Sequence, residues 1–206
     1  MKPAKSFLID TTGSPLDAIY IQITRLQLEV LQLHCNPNTD ANNRRELIQL
    51  FWTASSLITS MEDFNNSMNI ALYSPSYLGS SLSLAAFTLL RMLKSGIAQI
   101  LEPAALQSGK LSIFAAIHLF KQMSLANNDI YAKASEYLST MWINPSIFKI
   151  INHKKELTLR IRNRLFMSIV FDTILIWVEE YGACTYATPA SRKQAKGMIQ
   201  RQSKKS

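Results

Sequence analysis

Asp172 is the one charge in the apolar run IVFDTILIW, residues 169–177, and Arg91 is the one charge inside SLAAFTLLRML, residues 83–93. A carboxylate carried into a core must find a partner, because leaving it unpaired in an apolar medium is costly. Arg91 is the natural mate for Asp172. The expected role of the pair is structural rather than ligand-binding, and it requires the two segments to lie side by side.

Other residues with chemical potential do not converge. His118 shares its helical sector with Lys110, Lys121, Gln122 and Ser124, which reads as a solvated polar edge. His34, beside Cys35, closes a helix where a cation suits the C-terminal dipole, and His153 precedes Lys154 and Lys155. The 2 cysteines, Cys35 and Cys184, are far apart and form no Cys-x-x-Cys pair, so neither a disulfide framework nor a zinc site is expected. No Glu-x-x-His pair exists to hold a metal between helices, and the 6 glycines are too scattered for a phosphate-cradling loop. The expectation is a non-enzyme: catalytic residues none, metal ligands none, cofactor-binding residues none, DNA-binding residues none.

Charge is unevenly placed. Residues 1–148 carry 10 Lys/Arg and 10 Asp/Glu, while 149–206 carry 12 and 4, so the net +8 lies in the last segment. Lys154, Lys155, Arg160, Arg162 and Arg164 suggest a DNA-reading stripe, yet on a helical wheel they fall on opposing sides. A solvated start to a helix explains them better. Arg192-Lys193 and Lys204-Lys205 have the form of a nuclear-localisation or phosphate-contacting element.

These residues need helices to position them. Ser14-Pro15-Leu16-Asp17 is a helix opening, followed by Leu16, Ile19, Ile23, Leu26, Val30 and Leu33 at 3-4 spacing. Residues 44–64 repeat the seam with Leu47, Leu50, Ala54, Leu57, Met61 and Phe64, and Asn36-Pro37-Asn38 joins the two as an αα-hairpin. A coiled-coil homodimer through the first seam is the competing reading, but the seam is too short for it, and packing on its own neighbour is preferred. Ser74-Pro75 opens a third helix, with Ala85, Leu89 and Met92 on one side and Gly79-Ser80-Ser81 admitting a close neighbour.

Glu102-Pro103 is expected to break the chain before a fourth helix over about Gly109 to Leu125. The triplet Asn127-Asn128-Asp129 then supplies an N-cap, and a fifth helix carries the stripe Ile130, Ala134, Tyr137, Leu138 and Met141 to a buried Trp142, with Asn144-Pro145 as its stop. Asp129 and Trp142 are therefore expected to be structural. A last long helix over about Lys154 to Tyr181, apolar on every side, is expected at the centre of the core. The basic, acid-free stretch after Gly182 is expected to be disordered.

The fold class expected is all-α, a multi-helix, bundle-like domain over 14–182, with a flexible 1–13 and a disordered basic tail over 183–206. The opening residues carry no long apolar core of a secretory signal, and the apolar runs fall short of the ~20 residues a membrane span needs, so a soluble intracellular protein is expected.

Three blocks, SPSYLGSSLSLAAFTLLRMLKS, LFKQMSLANNDIYAKASEYLSTMW and RIRNRLFMSIVFDTILIWVEEYG, resemble in order and spacing the C-terminal part of the regulatory domain of fungal zinc-cluster transcription factors. The resemblance covers about residues 74–182 and rests on structural motifs, among them the Asn-Asn-Asp helix start and the closing Leu138 to Trp142. It implies a regulatory, effector-responsive helical module, a nuclear setting and control by a protein partner or small-molecule effector. The six-cysteine DNA-binding element of that family is absent here, so DNA is reached only indirectly, through a segment this chain lacks. A basic rather than acidic end and Tyr131, where relatives often carry Pro, are further departures. The alternative is a freestanding helical protein–protein interaction module.

Overall fold

The computed structural model describes residues 14–35, 40–73, 75–144, 148, 159–161 and 164–182, with side chains described for all of them except 32–35, 40–43, 72 and 182. The terminal segments 1–13 and 183–206, the Asn36-Pro37-Asn38 link, Ser74, Pro145, His153, Lys154, Lys155, Arg162 and Cys184 lie outside the described residues, as do the side chains of Leu33, His34 and Cys35.

The described elements are α1 (Pro15–Cys35), α2 (Asp40–Met68), α3 (Ile70–Tyr73), α4 (Ser76–Lys94), a 3-10 turn (Gly96–Ile100), α5 (Pro103–Met123), α6 (Ile130–Ile143), a 3-10 turn (Leu165–Met167), α7 (Ser168–Trp177) and a π turn (Val178–Gly182). The class is all-α; no strand occurs among the described residues.

α1 starts as a capping box. Leu16 N donates to Ser14 Oγ at 3.3 Å and Ser14 N donates to Asp17 Oδ2 at 3.1 Å, filling donors a helix start leaves open. The seam Ile19, Ile23, Leu26 and Val30 is buried against α2, whose Leu47, Leu50, Ala54, Leu57 and Met61 answer it. Within the chain, therefore, that seam is used up.

α2 ends four residues later than the seam predicts. Asn69 adopts φ 52°, a left-handed conformation Asn tolerates, and α3 follows at once. Asn65 secures this corner: its Oδ1 accepts from Ala71 N at 2.8 Å and its Nδ2 donates to Gln122 Oε1 at 2.7 Å, tying α2, α3 and α5.

The centre of the core is α4. Every residue from Leu84 to Met92 is buried, and α4 packs against α2, α5, α6 and α7. Two glycines allow close helix approach. A Cβ at Gly79 would stand 2.4 Å from the Tyr131 ring on α6, and one at Gly109 would stand 2.6 Å from the Phe51 ring on α2. Next to Gly109, Ser55 and Ser112 share a buried hydrogen bond of 2.7 Å across the same helix pair.

Three expectations are corrected. Pro103 opens α5 rather than breaking the chain ahead of Gly109, since the first helical position is where a missing N–H costs nothing. The last helix does not run through from Lys154: residues 159–161 are non-helical, and α7 begins at Ser168, after Leu165 at φ 52°. Nor is it central, for Phe171, Leu175 and Val178 are exposed on its outer side.

Candidate functional site

The two lone charges meet. Arg91 Nη1 donates to Asp172 Oδ2 at 2.6 Å, with the side chains 5% and 1% exposed, which ties α4 to α7. Burial pushes the Arg91 guanidinium below its ordinary value, while the hydrogen bond and charge of Asp172 pull it back up. The second carboxylate oxygen of Asp172 accepts from Arg160 N at 3.1 Å and Ile161 N at 3.4 Å. These bonds explain why the chain at 159–161 is not helical: its N–H groups are turned onto Asp172 instead of onto a preceding turn.

Around this centre the charges alternate. Arg160 Nε lies 3.6 Å from Asp172, and Arg160 Nη1 reaches both oxygens of Glu179 at 2.9 and 3.0 Å. Arg91 is further covered by the Phe148 ring, 5.3 Å from its guanidinium carbon. Arg160, read from sequence as part of a solvated helix start, is instead engaged in ion pairs off any helix. Arg164 stacks over Phe171 at 5.6 Å.

The second built feature is the corner between α5 and α6. Asp129 is the N-cap of α6, its Oδ1 accepting from Ala132 N at 2.8 Å, Tyr131 N at 3.0 Å and Ser124 Oγ at 3.1 Å. Its Oδ2 accepts from Leu125 N at 2.8 Å and Ala126 N at 3.2 Å. One carboxylate thus satisfies open donors of the turn before it and the helix after it. The Ala132 N–H contributes most to lowering the Asp129 carboxyl to about 2, partial burial opposes it, and Leu125, Ala126 and Ser124 add to the lowering.

At the far end of α6, Trp142 is half-buried rather than buried, its ring edge-on to Phe114 at 5.8 Å. The buried tryptophan is Trp177, whose ring lies tilted against Tyr137 at 4.4 Å and which donates from Nε1 to Thr140 Oγ1 at 2.6 Å. Ile130, placed by spacing on the buried stripe of α6, is 74% exposed at the first helical position. Lys94 finishes α6 from outside: its Nζ donates to the carbonyls of Trp142 and, at 3.3 Å, Asn144, and lies over the Trp142 ring at 5.0 Å. A cation there meets the negative end of the helix, and burial lowers its pKa.

His118 is exposed, 3.5 Å from Gln122 and on a polar edge with Lys110 and Lys121. Among the described residues no three His, Cys, Asp or Glu side chains cluster as metal ligands, and no helix is long and apolar enough to cross a membrane. A hollow between Met61, Ile70, Ala71, Leu82, Leu119 and Met123 measures about 10 Å³, at or below the size that holds a water. An open groove of about 590 Å³ runs along α1.

No family model matches this chain, and neither the curated proteins nor the solved structures contain a significant match.

Sequence reasoning missed Asn65, Lys94 and Glu29. Asn65 and Lys94 act by bonds between elements distant in sequence, which periodicity does not register. The signal for Glu29 was available: an acid one residue before Val30 sits beside the seam that faces α2.

Proposed function

We propose that this chain is a helical regulatory module, bundle-like in its packing, that works by contact and by shifts in helix packing rather than by catalysis. Its setting is that of the fungal zinc-cluster regulators its sequence resembles: nuclear, effector- or partner-responsive, and reaching DNA only through a segment other than this chain. The observation that supports the reading is the convergence of the three resembling blocks. α4 from the first, the Asp129 corner and α6 from the second, and α7 from the third pack on one another. The Arg91–Asp172 pair joins the first block to the third.

A regulatory helix assembly needs two packings of similar free energy, biased by whatever binds one of them better. A buried ion pair suits such a contact, because it holds only in good register and becomes a liability once separated. The test is to fuse the full chain to an unrelated DNA-binding domain upstream of a reporter in a fungal cell. Reporter output that departs from that of the bare DNA-binding domain supports the module. An unchanged output with the fusion present in the nucleus overturns it.

A freestanding interaction module is the second reading, favoured by one feature: Ile21, Leu28 and Trp52 stand 69%, 56% and 48% exposed on the α1–α2 hairpin. Such a protein would leave the reporter unchanged.

A further inference from the structure

α5 turns to solvent one sector that the core does not use. Lys110, Leu111, Phe114, His118 and Lys121 fall within about 100° of the helix circumference, and all five are exposed, Leu111 by 61% and Phe114 by 54%. The contact of Phe114 with Trp142 joins this sector to the end of α6, where Ile143 is 79% exposed. Trp142 is itself held in place by Lys94, whose Nζ lies over its ring at 5.0 Å and donates to its carbonyl. No acid occurs anywhere in α5. Lys110 and Lys121 form no ion pair among the described residues, and Glu62 and Asp63 on α2 and Glu136 on α6 engage neither of them. The exposed faces of α1 and α7 differ in this respect, since Arg25 is matched by Glu29 on the first, and Glu179 and Glu180 follow Phe171 and Leu175 on the second.

We propose that this face docks an acidic amphipathic helix of a protein partner, whose apolar stripe lies on Leu111, Phe114 and Trp142 and whose carboxylates meet Lys110 and Lys121. Charge complementarity selects the partner. The two ammonium groups stand about 16 Å apart along α5, with Leu111 and Phe114 between them. The partner must therefore carry negative charge at both ends of an apolar stretch, which a helix with apolar residues on one face and acids along its border does. A nucleic-acid strand, charged at every nucleotide, fits less well, because most of its phosphates would lie over the apolar side chains between the lysines. An aromatic anchor already fixed in the free protein loses little freedom on binding, and Lys94 fixes Trp142 in this way. The proposal does not depend on the regulatory reading.

Fluorescence anisotropy of the full chain with a labelled peptide tests it, the probe being about 18 residues of Glu, Leu and Phe with its apolar residues at i, i+3, i+4 and i+7. Saturable binding is expected, weakened about tenfold or more by Phe114→Glu, and likewise by Lys110→Glu combined with Lys121→Glu, while helix content stays unchanged. Ile21→Glu makes the same change of charge at an exposed residue on α1 and should leave the affinity where it was. The basic side chains in residues 189–206 attract a polyanion equally in every variant, so differences between variants report the α5 face. A peptide with Lys in place of Glu should bind about tenfold more weakly or worse. Four outcomes would each overturn the proposal: no saturable binding, indifference to Phe114→Glu, equal affinity for the Lys peptide, or an oligo-dT strand held more tightly than the acidic peptide through Lys110 and Lys121.

Discussion

Asp129 shows how much one side chain can fix. Five donors converge on its two oxygens, which is why its carboxyl is held at about 2 against an ordinary value of 3.8. The sign follows from linkage: a carboxyl with a lowered folded pKa stabilises the fold above the unfolded pKa and loses that contribution as pH falls through the folded one. The contribution of Asp129 is therefore complete above about pH 4 and fades between there and about pH 2. Asp129→Asn, which keeps an acceptor but no charge, should melt lower than the parent at pH 6, and the gap should close on acidification. A gap that stays constant from pH 6 to pH 2 would mean that the charge does not hold the corner. This residue was readable in sequence because an N-cap is a local requirement, met by residue types that announce themselves. Trp142 misled for the opposite reason. A tryptophan at a helix end gives no sign of whether a neighbour will cover it, and it was Trp177 that α6 covered.

Between elements, the Arg91–Asp172 contact was also readable, since two single charges in two apolar segments have few ways to be satisfied except by each other. What the sequence did not disclose was where the last helix begins. Periodicity says nothing when every face is apolar, and it gave no sign that Asp172 would take the N–H groups of Arg160 and Ile161 or that Leu165 would turn left-handed ahead of α7. For the same reason α4, not α7, turned out to be the central helix: uniform apolarity permits burial on all sides but does not require it. Asp172→Asn leaves Arg91 buried without its counter-charge, and loss of one partner of a buried pair costs about 3–5 kcal/mol. An Asn keeps an acceptor for Arg160 and Ile161 but turns its amide N–H groups toward Arg91, so the loss combines the charge with the hydrogen bond to Arg91. Adding Arg91→Met should recover part of it, because the unmatched cation is then removed. Denaturant unfolding of the two single variants and the double variant measures the coupling, and simple additivity would contradict a direct tie between α4 and α7.

For the whole molecule, charge and the missing cysteines set the expectation for nucleic acid. Residues 187–206 hold six basic side chains and no acid, whereas residues 1–148 are neutral overall. Basic side chains attract any duplex by releasing its counterions, without reading bases, and such binding collapses as salt rises. Among the basic side chains near α7, Arg160 is committed to Asp172 and Glu179 and Arg164 to the Phe171 ring, so neither is laid out to track a groove. The full chain should thus bind labelled duplexes of unrelated sequence about equally at low salt and release them near physiological salt. Its affinity should drop when residues 189–206 are removed, and it should take up no stoichiometric zinc. Titration of several duplexes at two salt concentrations, with and without those residues, separates the contributions. If one sequence stayed selectively bound by the shortened chain at physiological salt, the helical body would itself read DNA, and regulation through a separate DNA-binding segment would no longer be needed to explain how the protein acts.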